Sequence, residues 1–186
     1  MDIGREASPQ MQKSPADKAA PICRSLIGRD DARQSFDSAF QMAVANGKSN
    51  VPIDAEKFGT YSLEAMKYTK RDSQWQARFA NESRIHKTDQ MLQDFYQSVQ
   101  KRGALTISGL ASLYDQLSIN EVLFDGNTRN RILALAHITA QYGYPPPDFT
   151  RTSYTKLMEL QKQYPRDHQK ATLEFLRDAL PIMPLT

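Results

Sequence analysis

The sequence is poor in the residues that announce common chemistries. Cys23 is the only cysteine, so the chain has no internal disulfide and no cysteine-based zinc site, which fits a protein of a reducing compartment. Three histidines, His86, His137 and His168, stand apart with no second ligand one helical turn away. They form no metal cluster and read as structural or exposed residues. The longest apolar run, Ile132 to Ala136, falls far short of the roughly 20 residues that cross a bilayer, so no membrane span is expected. Charge of one sign is also lacking. The net charge of +3 arises from 24 basic and 21 acidic residues spread along the chain, which gives no field for nucleic-acid binding. A GxSxG elbow, a Walker loop and a GxGxxG fingerprint are absent.

What is present is helical patterning behind a polar start. A length of 186 residues suits one domain with a core and a tail. Residues 1–29 hold three prolines and no aromatic residue, and read as a disordered tail. They contain no apolar core of a Sec signal peptide, although their Ser, Pro and Gln resemble the amino-terminal secretion signal of bacterial type III effectors. Residues 30–186 read as an all-α domain of about six to eight helices, without sustained strand alternation or internal repeats.

The first helix carries Ala32, Phe36, Ala39, Phe40, Ala43 and Val44 on one face and is expected to stop at Asn46-Gly47. Asp54 caps a second, whose face is Phe58, Tyr61, Leu63 and Met66, with Gly59 weakening it. Trp75, Phe79, Phe95 and Tyr96 read as core, and Gly103 closes the helix that contains Met91, Leu92 and Val99. A short helix begins near Ser108, with Leu110, Leu113, Tyr114 and Leu117 facing one way. Pro145 to Pro147 stiffen an extended connector, and Ser153 and Asp167 cap two closing helices.

The most informative stretch is Asn120 to Ile138. Asp125-Gly126-Asn127-Thr128 is a turn that runs straight into an apolar helix, leaving backbone N–H groups and the positive end of the helix dipole at one spot. Phosphate oxygens fit such a place. Gly126 permits close approach, Arg129 adds a positive fork, and Asp125 has the chemistry to hold a divalent metal or orient a nucleophile. The same letters also describe a surface helix capped by Asn127 with solvated arginines.

This stretch resembles the heart of the Fic/Doc family, whose motif reads His-x-Phe-x-Asp/Glu-Gly-Asn-Gly-Arg-x-x-Arg. Asp125, Gly126, Asn127 and Arg129 match it without a gap, over a detailed likeness of residues 105–150. The resemblance implies a Fic-like helical bundle, ATP and Mg2+ as cofactors, Asp125 as the metal-holding acid, and Gly126, Asn127, Thr128 and Arg129 as the phosphate cradle. It further implies transfer of AMP to a hydroxyl of a target protein. If the tail is a secretion signal, that target belongs to a host cell reached from the bacterial cytoplasm.

The departures are specific. Glu121 stands at the place of the basic histidine, Leu123 at that of the phenylalanine, Thr128 at that of the second glycine and Ile132 at that of the second arginine. Arg131 lies one residue off, about 100° around a helix, and is not expected to replace that arginine without local rearrangement. Glu121 could act as base if desolvation raised its pKa, or be an inert surface residue. His137 lies too far along the helix to replace the base. Family members with a bulkier residue at the Thr128 position transfer a phosphate instead of AMP. Thr60 and Glu64 have the spacing of the family's inhibitory motif, with Ala65 departing from it. Three readings follow: a divergent transferase of a nucleotide-derived or phosphate-containing group, a catalytically inactive Fic-fold effector that binds a host protein or ligand, and a plain helical adaptor.

Overall fold

Seven helices form among the described residues, each bounded by local signals. The computed structural model describes residues 30–67, 81–120, 123, 127–149, 152 and 154–186, without the side chains of 30–33 and 154. The tail 1–29, Trp75, Phe79 and the Ser153 cap lie outside the described residues. The helices are α1 (Asp30–Lys48), α2 (Ala55–Met66), α3 (Glu82–Arg102), α4 (Ile107–Ile119), α5 (Asn127–Gln141), α6 (Tyr154–Gln163) and α7 (His168–Ala179). Every regular element among the described residues is thus a helix, as the all-α patterning requires. None of these helices is long and apolar enough to cross a membrane.

Capping fixes most ends. The Asp54 carboxylate accepts from Lys57 N at 2.8 Å to start α2, Asn81 caps α3, and Asp167 caps α7 by accepting from Lys170 N at 3.0 Å. Gly103 closes α3 at φ 74°, a conformation that L side chains rarely adopt. Thr106 Oγ1 takes the Gly109 N–H of α4, while the Ile107 and Ser108 N–H groups donate to the carbonyls of Pro184 and Leu185. The last residues of the chain therefore complete the cap of a helix about 80 positions earlier.

Helix α5 is the centre of the packing. Residues Asn130 to Ala140 are all buried, apolar and polar alike, because α1 and α2 cover one side and α4 the other. Helix α7 packs on α4, α6 lies outside α7, and α3 rests against α2 and α4. Phe36, Phe40, Phe58, Leu110, Leu133 and Phe175 belong to one continuous core.

Two expectations change in the folded chain. Helix α1 does not stop at Asn46-Gly47 but runs to Lys48. A Cβ on Gly47 would lie 2.2 Å from the His137 carbonyl oxygen, so the missing side chain lets α1 press against α5 instead of breaking the helix. Leu63 is 43% exposed, whereas Ser62 is buried with Phe58, Tyr61 and Ala65. Residues 58, 61, 62 and 65 form the three-and-four-residue stripe toward the core, and Leu63 falls outside it.

Candidate functional site

The start of α5 is pinned from behind. Leu123 is buried, and the Asn127 carboxamide grips its backbone twice: Oδ1 accepts from Leu123 N at 2.9 Å and Nδ2 donates to Leu123 O at 2.8 Å. Asn127 therefore holds the ends of its turn together with its side chain. Just before the turn, Arg84 of α3 donates to the Asn120 carbonyl, and Asn120 Nδ2 donates to Gln116 O at 2.6 Å. Glu121, Asp125 and Gly126 lie outside the described residues.

Of the residues that the sequence singles out, Asn127, Thr128, Arg129 and Arg131 come together in the first turns of α5. Thr128 and Arg129 are half-buried, and Arg131 is 8% exposed. Helical spacing alone sets Arg131 off the motif position. The observed guanidinium reaches back along its own helix, however, and Nη2 donates to Thr128 Oγ1 at 2.8 Å. Its carbon stands 4.7 Å over the centroid of the Tyr114 ring of α4, a cation–π contact that holds the fork in place. Among the described residues the buried Nε–H has no hydrogen-bond acceptor.

On α4 the packing engages a carboxylate that the sequence did not single out. Asp115 of α4 accepts from Thr172 Oγ1 of α7 at 2.6 Å through Oδ1, while its buried Oδ2 has no donor among the described residues. Burial raises the Asp115 pKa above its ordinary value; the Thr172 hydrogen bond and the charges of His168 and Arg131 offset part of that effect, and Asp167 adds to it. The signal available in the sequence was one acidic residue inside "LASLYDQLS", a pattern that helix surfaces show routinely.

The other side of α5 carries a second polar set. Asn130 Nδ2 donates to the Phe58 carbonyl of α2 at 2.7 Å. His137 is fully buried: Nε2 lies 2.8 Å from Val51 O and so donates to it, which leaves Nδ1 to accept the Tyr61 hydroxyl at 2.6 Å. Asn46 Nδ2 donates to the same hydroxyl oxygen at 3.2 Å. Burial lowers the His137 pKa and pushes Tyr61 up to about 12. His86 and His168 are exposed. Thr60 donates to Glu56 O at 2.9 Å within α2, and Glu64 accepts from Ser38 of α1 at 2.7 Å, so both serve local helix contacts.

Chemically, the first turn of α5 offers N–H groups that have no partner within the helix, one hydroxyl, and a buried guanidinium with a donor to spare. Such a set accepts oxyanions. Among the described residues no group of three His, Cys, Asp or Glu side chains converges to hold a metal ion. No family model, curated protein or solved structure matches this chain.

Proposed function

We propose that this chain is a divergent Fic-like protein that binds the phosphates of a nucleotide at the start of α5 and transfers a nucleotide-derived or phosphate-containing group to a hydroxyl of a target protein. The observation that supports it is the Arg131 guanidinium: nine-tenths buried, turned onto the first turn of its own helix, and one donor short of satisfied. The resemblance adds ATP and Mg2+ as the expected cofactors, Asp125 as the metal-holding acid and Glu121 in the base position. Residues 1–29 then serve as the secretion signal of an effector delivered to a host cell.

Calorimetry with Mg-ATP tests the binding half. Arg131→Gln and Arg129→Ala each weaken binding by at least about tenfold, the worth of one charge-assisted hydrogen bond. Absence of ATP binding, or binding indifferent to both changes, rules the reading out.

Glu121 in place of the family histidine favours a second reading, a phosphate-binding protein without transfer. Incubation of a host-cell lysate with labelled ATP separates the two: label that becomes covalently attached to protein, and is lost in Arg131→Gln, supports the transferase.

A further inference from the structure

Helices α3 and α4 run antiparallel, joined by residues 103–106, and Asn120 Nδ2 meets Met91 Sδ at 3.3 Å toward the far end of the pair. Between them lies a cleft of about 180 Å³ whose described lining includes no residue of α5. Its floor is apolar, made by Phe95, Val99 and Leu113. Its ends differ. At the turn between the helices Arg102, Thr106 and Ser108 present donors; further along, Asp94 and Gln116 present acceptors. Asp94 Oδ1 accepts from Gln90 at 2.7 Å and Gln116 Nε2 donates to Ser112 at 3.4 Å, which leaves Asp94 Oδ2 and Gln116 Oε1 for a donor from outside.

Two features at the donor end are unexplained by the fold. Thr106 is 5% exposed and its oxygen accepts from Gly109 N at 3.1 Å, but its own proton reaches no acceptor among the described residues. The buried hydroxyls of Thr88, Thr139 and Thr172 each donate, at 2.7, 2.9 and 2.6 Å. Gly109 is the second feature. Its φ is not left-handed, and a Cβ there would lie 3.4 Å from Thr106 Oγ1 and 3.9 Å from Phe95 Cε2, both ordinary contacts. Neither backbone nor packing asks for a glycine, which weakens a helix relative to alanine. Its bare Cα leaves open the space beside the Thr106 hydroxyl.

These groups define an occupant. A volume of about six waters is too small for a nucleotide, since sites for drug-sized ligands begin at roughly 300 Å³. Asp94 and Arg102 bring one charge of each sign, which favours a zwitterion over a polyanion. They stand eight residues apart on α3, about 12 Å along a helix axis. A free amino acid holds both charges on one carbon and cannot span them. Two extended residues span about 7 Å, and the length of the arginine side chain supplies the remainder. We propose that this cleft binds a dipeptide with free termini and an apolar second residue. The carboxylate accepts from Arg102, Thr106 and Ser108 over the bare Cα of Gly109, the ammonium donates to Asp94 and Gln116, and the apolar side chain lies on the floor. This site and the nucleotide reading do not depend on each other.

Calorimetry of the full chain with glycyl-leucine is the test. The wild-type protein should bind it with a Kd below about 1 mM, and N-acetyl-glycyl-leucine and glycyl-leucine amide should each bind at least about tenfold more weakly, the factor that one charge-assisted hydrogen bond commands. Gly109→Ala fills the space without a clash, so it should weaken binding by at least about tenfold while the urea midpoint stays equal or rises. Arg102→Gln, at an exposed position, should weaken glycyl-leucine binding by a similar factor and leave the affinity for the amide unchanged. No binding of glycyl-leucine, or binding undiminished in either variant, overturns the site. Unchanged affinity for the N-acetylated form overturns the assignment to a dipeptide and points instead to the carboxyl terminus of a longer chain.

Discussion

The two sides of α5 carry different kinds of buried polar group. Toward α1 and α2, His137 has a partner on each ring nitrogen, and Tyr61 both donates and accepts. Nearby, Tyr96 accepts from Ile53 N at 3.0 Å and donates to Gln141 at 2.7 Å. Toward α4 and α7, Arg131 and Asp115 each keep one buried atom without a partner among the described residues. Ser62 Oγ and Asn130 Oδ1 also lack a partner among the described residues, so what distinguishes the α4 side is that these two unpartnered atoms belong to charged groups, for which the cost is larger.

The sharpest way to break the side toward α1 and α2 is at its seam. Gly47→Ala forces a Cβ to 2.2 Å from the His137 carbonyl and 3.0 Å from Ala140 Cβ, and neither the backbone of α5 nor that of α1 can move without disturbing the core. A loss of about 3 kcal/mol is expected, read as a lower urea midpoint with an unchanged m-value.

A smaller effect comes from pH. The folded His137 pKa lies below the unfolded value of 6.5, so unfolding takes up a proton in the window between them. The stability due to neutral His137 is present above 6.5 and is lost as pH falls toward the folded value. Thermal melts from pH 7.5 down to 5 should show a declining Tm whose slope flattens in His137→Gln; a wild-type Tm that rises across that range contradicts the burial of neutral His137.

The smallest effect has the opposite sign and marks the α4 side. Burial raises the Asp115 pKa, so its charge costs stability at neutral pH, and that cost vanishes as pH falls through the folded pKa toward 3.8. Asp115→Asn keeps an oxygen for Thr172 and removes the charge. It should leave the protein equally stable or stabilise it by about 0.5–1 kcal/mol at pH 7, the direction expected where burial penalises a charge. Chemical denaturation settles the sign, and a loss exceeding about 1 kcal/mol would show that the fold needs the charged form.

The sequence by itself determined what depends on neighbours within a turn or two. Phe36, Phe40, Phe58 and Tyr61 are core because three- and four-residue spacing sets a helix face, and Asp54, Gly103 and Asp167 cap helices because a side chain or a left-handed backbone acts on the adjacent turn. Asn127, Thr128 and Arg129 lie together because they are consecutive, whereas where the Arg131 guanidinium goes was not readable from spacing. Tertiary structure decided the rest. Gly47 sits inside α1 because α5 lies against it, Ser62 instead of Leu63 faces the core, Arg131 is held by the ring of Tyr114, and Asp115 is chosen from many surface acids by Thr172. Tyr61 and His137 are 76 positions apart, and Asp115 and Thr172 are 57 apart. Helix periodicity reports which face of a segment is apolar, but the identity of a partner across such distances is fixed only when the helices pack and each buried donor must find an acceptor.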